Sequence, residues 1–153
     1  MIKVNVLSEE NSWLKRLNEK EKFFNKVCKL FPKKFRFSNK KVYLTVLLSN
    51  NKKIKILNKK FRNKNKHTDI LSFPFKQKNK NQKEIYLGDM IISFNYINKP
   101  KNQDKKEFKK KTIKIFIHGF LHLLGFDHIN YKSYKKMFNH EQKIFKSVEK
   151  LLN

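Results

Sequence analysis

The sequence predicts one α+β domain over residues 1–153, a small mixed sheet of about four strands packed against helices. Two observations carry that expectation. Four short runs rich in β-branched and aromatic residues are separated by stretches whose apolar residues recur at helical spacing. The length suits a single domain, of ~100–200 residues, and neither an internal repeat nor a break in composition divides the chain.

In chain order, Ile2 to Leu7 reads as a short strand. A helix capped by Asn11 or Ser12 follows, carrying Trp13, Leu14, Leu17, Phe24, Val27, Cys28 and Phe31 on its apolar side until Pro32 stops it. Lys33 to Lys41 is a basic connector, and Val42 to Leu48 is a buried strand. Ser49, Asn50 and Asn51 are N-cap candidates for a short helix bearing Ile54, Leu57 and Phe61. After a polar loop from Arg62 to Asp69, Ile70 to Phe75 forms a strand whose Pro74 favours a sheet edge. Lys76 to Lys83 is a Lys/Gln/Asn-rich hairpin tip, and Ile85 to Ser93 returns as a strand interrupted at Gly88-Asp89. A helix from near Asp104 to about Leu124 comes next, then a last helix from Tyr134 to Leu152. Along one side the last helix spaces Tyr134, Met137, Phe138, Glu141, Ile144, Phe145, Val148 and Leu151.

The formal net charge is +26, a balance that attracts polyanions. The basic residues are nearly all lysine, with arginine only at Arg16, Arg36 and Arg62, and alanine is absent. Residues with A/T-rich codons are abundant, so genome composition and a nucleic-acid partner are both sources of the charge. A lone cysteine, Cys28, excludes an internal disulfide and reads as a small buried residue on a helix. No stretch approaches the ~18 apolar residues of a membrane span, and acidic Glu9 and Glu10 interrupt the N-terminus before a signal-peptide core develops. A cytoplasmic protein without a membrane partner is expected.

The stretch from His118 to His128 carries the chemistry. His118 and His122 are one helical turn apart, so both imidazoles leave the same face and can chelate one metal ion. Gly125 can end the helix in the left-handed conformation, after which the chain folds back and offers His128. A single histidine in an apolar helix is usually a hydrogen-bonded core residue or a surface one. Here three of five histidines fall within eleven residues around a glycine hinge, which favours a metal site on the helix and the loop after it. Three neutral nitrogens with an open fourth position describe catalytic zinc, although imidazole also accepts nickel, iron or copper. Zinc proteases with this spacing place a glutamate after the first histidine as general base. Gly119 occupies that position, which disfavours peptide hydrolysis.

The run from His118 to His128 satisfies a histidine-glycine-x-leucine-histidine-leucine-x-glycine-aromatic-aspartate-histidine pattern, and Thr68-Asp-Ile-Leu-Ser-Phe-Pro74 forms a second block. Together with Leu57-Asn58, Phe61-Arg62 and Leu87-Gly-Asp-Met90, in that order, these residues resemble the YbeY family of bacterial ribosomal-RNA maturation endoribonucleases. The resemblance runs from about Val42 to the last helix. Asn63 departs from it, standing where the family usually has glycine, and so does the Lys/Asn-rich segment from Phe94 to Phe108.

The resemblance implies a single-strand-specific, zinc-dependent endoribonuclease of ribosome biogenesis that matures the 3′ end of 16S ribosomal RNA. Its ligands would be His118, His122 and His128 with one Zn2+ per chain, and its partners single-stranded ribosomal RNA and ribosomal subunits, without DNA specificity. Arg62 is the catalytic candidate, because a guanidinium can grip two phosphoryl oxygens. Asp127, beside His128, is a candidate to orient a ligand ring, or equally to cap the final helix. Asp69 and Asp89 suit a turn as readily as the chemistry, His67 reads as an exposed loop histidine rather than an RNA contact, His140 faces away from its helix's apolar stripe, and Met137 belongs to the core. The rival expectation is a ribosome-assembly or RNA-binding factor without catalysis, in which the metal is structural.

Overall fold

The computed structural model describes residues 1–78 and 81–153. Its sheet has four strands, β1 (Ile2–Ser8), β2 (Lys41–Ser49), β3 (Ile70–Pro74) and β4 (Glu84–Ser93), in the order β1-β2-β4-β3. β1 and β4 flank β2 in parallel, while β3 pairs antiparallel with β4. The expected α+β class and mixed sheet are therefore present. Pro74 lies on the edge strand, where its missing N–H breaks no ladder. The centre of the predicted hairpin tip, at 79 and 80, lies outside the described residues.

The interruption at Gly88 is a register shift. Tyr43 pairs with Tyr86 and Thr45 with Asp89, so β4 carries one residue more than β2 across this step. Gly88 has φ +135°, and a Cβ there would stand 2.2 Å from the Phe73 carbonyl oxygen, so only glycine fits.

β2 alternates strictly. Val42, Leu44, Val46 and Leu48 are fully buried on one face, and Thr45 and Leu47 are half-buried on the other. The first face holds the main core, where Trp13, Phe24, Phe31, Phe108, Phe116 and Phe120 pack with Met137 and Ile144. These residues come from α1 (Ser12–Arg16), α2 (Lys20–Lys29), α5 (Lys105–Leu123), α6 (Tyr131–Val148) and adjoining loops. On the second face α3 (Asn51–Arg62) sets Ile54 and Leu57 over Leu71, Ile91 and Phe73.

Two caps follow expectation. The Asn50 side chain accepts the Lys53 N–H at 2.9 Å to start α3, and Asp104 accepts the Glu107 N–H at 2.7 Å to start α5. Cys28 is buried, and burial pushes its thiol pKa well above the ordinary value.

The helices differ from the sequence reading in three places. The stretch from Ser12 to Phe31 forms two helices, because Leu17 takes an extended backbone and turns its own side chain into the core. Arg16 holds that break by donating to the carbonyls of Lys101 and Gln103. The last helix begins at Tyr131, where Asn130 and Ser133 form a reciprocal capping box, and gives way at Glu149 to a 3-10 turn. A one-turn helix, α4 (Phe94–Ile97), lies in the Lys/Asn-rich segment.

Candidate metal centre

α5 lies close against the sheet because Gly119 has no side chain. A Cβ there would come 2.4 Å from Ile70 Cδ1 and 2.7 Å from Met90 Sδ. The position that bears the general base in zinc proteases thus faces the sheet, with no space for a glutamate. This agrees with the reading of Gly119 against peptide hydrolysis. The same helix turns His118 and His122 the other way, where both are half-buried.

The end of α5 is a Schellman motif. Phe126 N–H donates to the Leu121 carbonyl and Gly125 N–H to the His122 carbonyl, both at 3.0 Å. Gly125 takes φ +93°, and a Cβ on it would meet nothing within 4 Å, so glycine is needed for conformation alone. The reversal carries His128 back over the helix. Its ring centroid lies 5.5 Å from that of His118 and 5.1 Å from that of His122. One nitrogen from each of the three histidines lies within 4.8 Å of the other two.

Hydrogen bonds fix the tautomers of two rings. His122 Nδ1 is 2.9 Å from the Phe126 carbonyl oxygen, which can only accept, so Nδ1 carries the proton. His118 Nδ1 is 2.8 Å from Glu141 Oε1, and an ionised carboxylate imposes the same tautomer. Both Nε2 atoms therefore present lone pairs, and they face each other at 3.0 Å. Such lone pairs repel unless they share a cation. Two nitrogens on a tetrahedral zinc, each at ~2.0–2.1 Å, would stand roughly 3.3 Å apart. The donor set and its spacing fit a divalent transition metal, with His128 exposed on the open side. Burial, then the neighbouring His118, holds the His122 pKa below the ordinary histidine value. Its bond to the Phe126 carbonyl opposes that shift, while His128 and Arg62 add to it.

Arg62 ends α3 and reaches toward this site through Ser72. Its guanidinium donates to the Ser72 carbonyl at 3.1 Å, and the Ser72 hydroxyl donates to the Gly119 carbonyl at 3.2 Å, one residue from His118. The Phe73 ring lies 5.9 Å beneath the guanidinium carbon. Asn63 occupies the following turn with φ 54°, ψ 32°, a left-handed conformation that asparagine tolerates in place of the family's glycine.

The Asp127 carboxylate accepts the Ile129 N–H at 3.3 Å, a local turn contact, while the residue that grips a ring of the histidine cluster, His118, is Glu141. Glu141 was visible in the sequence only as the single acid within the apolar stripe of α6. Asp69 holds the entry to β3 by accepting from Thr68 Oγ1 and Ile70 N–H. Asp89 meets the Tyr86 hydroxyl on the far face of the sheet. His67 is exposed, near Tyr96. His140 corrects the sequence reading, since it packs edge-on against both Phe35 and Phe126. No helix among the described residues is long and apolar enough to cross a membrane.

Comparison with known proteins places these residues in context. The sequence profile of the family described as Endoribonuclease YbeY matches residues 6–149. An Endoribonuclease YbeY of Pelagibacter ubique is 56% identical over 149 residues, 97% of each chain. An Endoribonuclease YbeY of Persephonella marina is 34% identical over 108 residues, 70% of this chain and 71% of that one. A Thermotoga maritima protein solved in solution superposes with a TM-score of 0.51 at 28% identity, covering 97% of this chain and 89% of its own.

Proposed function

This chain belongs to the Endoribonuclease YbeY family, and on that premise we propose that it cuts single-stranded RNA with one zinc ion held by His118, His122 and His128. It is an RNA-cleaving hydrolase of that family. The finer assignment, to the 3′ end of 16S ribosomal RNA on the small ribosomal subunit, follows the resemblance and agrees with the net charge of +26.

The observation that carries the metal reading is the pair of Nε2 lone pairs facing each other at 3.0 Å. Zinc on three neutral imidazoles with an open position would supply a hydroxide near neutral pH, by lowering the pKa of water to ~7. The protein's own groups do the rest. Glu141 and the Phe126 carbonyl keep the protons of His118 and His122 on Nδ1, so that both Nε2 atoms stay free to bind. Arg62 offers a planar fork to the phosphoryl oxygens on which charge grows during cleavage. Its bond to the Ser72 carbonyl sets the height of that fork relative to α5.

The test measures metal content and cleavage of a single-stranded ribosomal-RNA fragment together, on wild type and His118→Ala free of host nuclease. About one zinc per chain, with cleavage lost in the variant, is the expected result. Metal without cleavage would leave an assembly or RNA-binding factor. No metal in either protein would refute the site.

A further inference from the structure

The face of α6 that meets the metal centre does not end there. Tyr134, Phe138 and Glu141 are spaced by four and three residues and so share one stripe of the helix. Glu141, at the inner end, holds His118 at 2.8 Å. Toward the N-terminus the stripe becomes aromatic and opens to solvent. Phe138 is 43% exposed, Tyr134 50%, Tyr131 76%, and Ile129, next to His128, 87%. Tyr134 and Phe138 lie nearly parallel, their ring centroids 6.0 Å apart at 20°. Lys132, Lys135 and Lys136 stand among them, exposed, and no acidic residue occurs between Asp127 and Glu141.

Exposed rings at this density are not explained by the core, which α6 serves through Met137, Ile144 and Val148. Aromatic planes interleaved with lysines, without carboxylates, suit a polyanion that carries flat apolar groups, namely single-stranded RNA. A rise of ~1.5 Å per residue puts Tyr134 about 10 Å along the helix from Glu141, the scale of one or two nucleotides.

We propose that Tyr131, Tyr134 and Phe138 form a base-stacking platform that receives the nucleotides next to the scissile phosphate and so selects unpaired RNA. The proposal rests on the RNA-cleaving reading above and adds a specificity element to it. Bases locked in a duplex offer no free face to these rings, whereas an unpaired strand does. The lysines beside the rings hold the phosphates without regard to sequence.

The experiment reads binding apart from cutting. A labelled ten-nucleotide single strand and an abasic strand with the same number of phosphates are titrated, in chelator, into the full chain. The proteins are wild type, Tyr134→Ala/Phe138→Ala and Tyr134→Phe/Phe138→Tyr, followed by fluorescence anisotropy at several salt concentrations. Wild type should prefer the base-bearing strand. The alanine pair should lose about tenfold or more of that affinity, with an unchanged salt slope and unchanged abasic binding, and the conservative pair should restore it. Equal binding of both strands by wild type would overturn the platform without recourse to any variant. Self-association of wild type that the alanine pair abolishes would also overturn it, by giving the face to a second copy. Cleavage is assayed separately with zinc. A wild type that shows the base-dependent binding yet cuts nothing would support the platform while refuting the enzymatic reading.

Discussion

Glu141 Oε1 lies 2.8 Å from His118 Nδ1, across the seam between α5 and α6. The contact joins two elements that share little else polar, and it fixes which nitrogen of His118 can bind a metal. Glu141→Ala should lower zinc affinity by roughly 10–100-fold, as loss of outer partners of metal-bound histidines does. Competition with a chromophoric chelator measures this. Wild-type affinity in the variant would show that Glu141 does not orient the ligand.

Gly125 and Gly119 are predicted to fail in different ways. Gly125 has φ +93° and open space around it, so Gly125→Ala should cost about 1–2 kcal/mol from backbone conformation and displace His128. Gly125→Asn should be milder. Gly119 meets Ile70 Cδ1 at 2.4 Å from a built Cβ, so Gly119→Ala should cost about 1–3 kcal/mol by overpacking, unrelieved by asparagine. Urea denaturation of the metal-free proteins separates the two. Equal stability of Gly125→Ala and wild type would refute the conformational account.

His122 gives the metal-free protein a pH dependence whose sign is set by burial. Its folded pKa lies below the unfolded value, about 6.5, so in that window the unfolded chain binds more protons. The contribution of His122 to stability is therefore level above about pH 6.5 and declines as pH falls through the window toward the folded pKa. Denaturation curves between pH 5 and 8, for wild type and His122→Gln, should show a shallower acid decline in the variant. The same decline in both would assign the effect to other groups.

Arg62 separates chemistry from metal binding. Arg62→Lys keeps a positive charge but loses the fork that donates to the Ser72 carbonyl. Zinc content should remain at wild type, while cleavage of single-stranded RNA falls by about 100–1,000-fold, the scale of losing a positioned donor to a transition-state oxyanion. Full activity in Arg62→Lys would remove Arg62 from the reaction.

The candidate metal ligands were legible because their geometry is local. His118 and His122 need only one helical turn, and Gly125 needs only a helix end, so spacing along the chain places all three imidazoles near one point. Caps and edges were legible for the same reason, as Asn50, Asp104 and Pro74 act on backbone within a few residues. The break at Leu17 was not. The apolar spacing from Trp13 to Phe31 fits one helix, and what ends it is burial of Leu17 and the tether from Arg16 to a loop about 85 residues away.

By itself, then, the sequence determined the strands, the helix that bears two histidines and the turn that returns the third, since each depends on dihedral preferences and side-chain periods that act over a few residues. Only the tertiary structure decided that Glu141 rather than Asp127 grips the His118 ring, and that Ser72 links Arg62 to α5. It alone packed His140 between two phenylalanines. Those outcomes depend on how helices are laid across a sheet ordered β1-β2-β4-β3, and on which side chains that packing brings within hydrogen-bonding distance. Such distances arise from the burial of the whole core and are not encoded in any short stretch of chain.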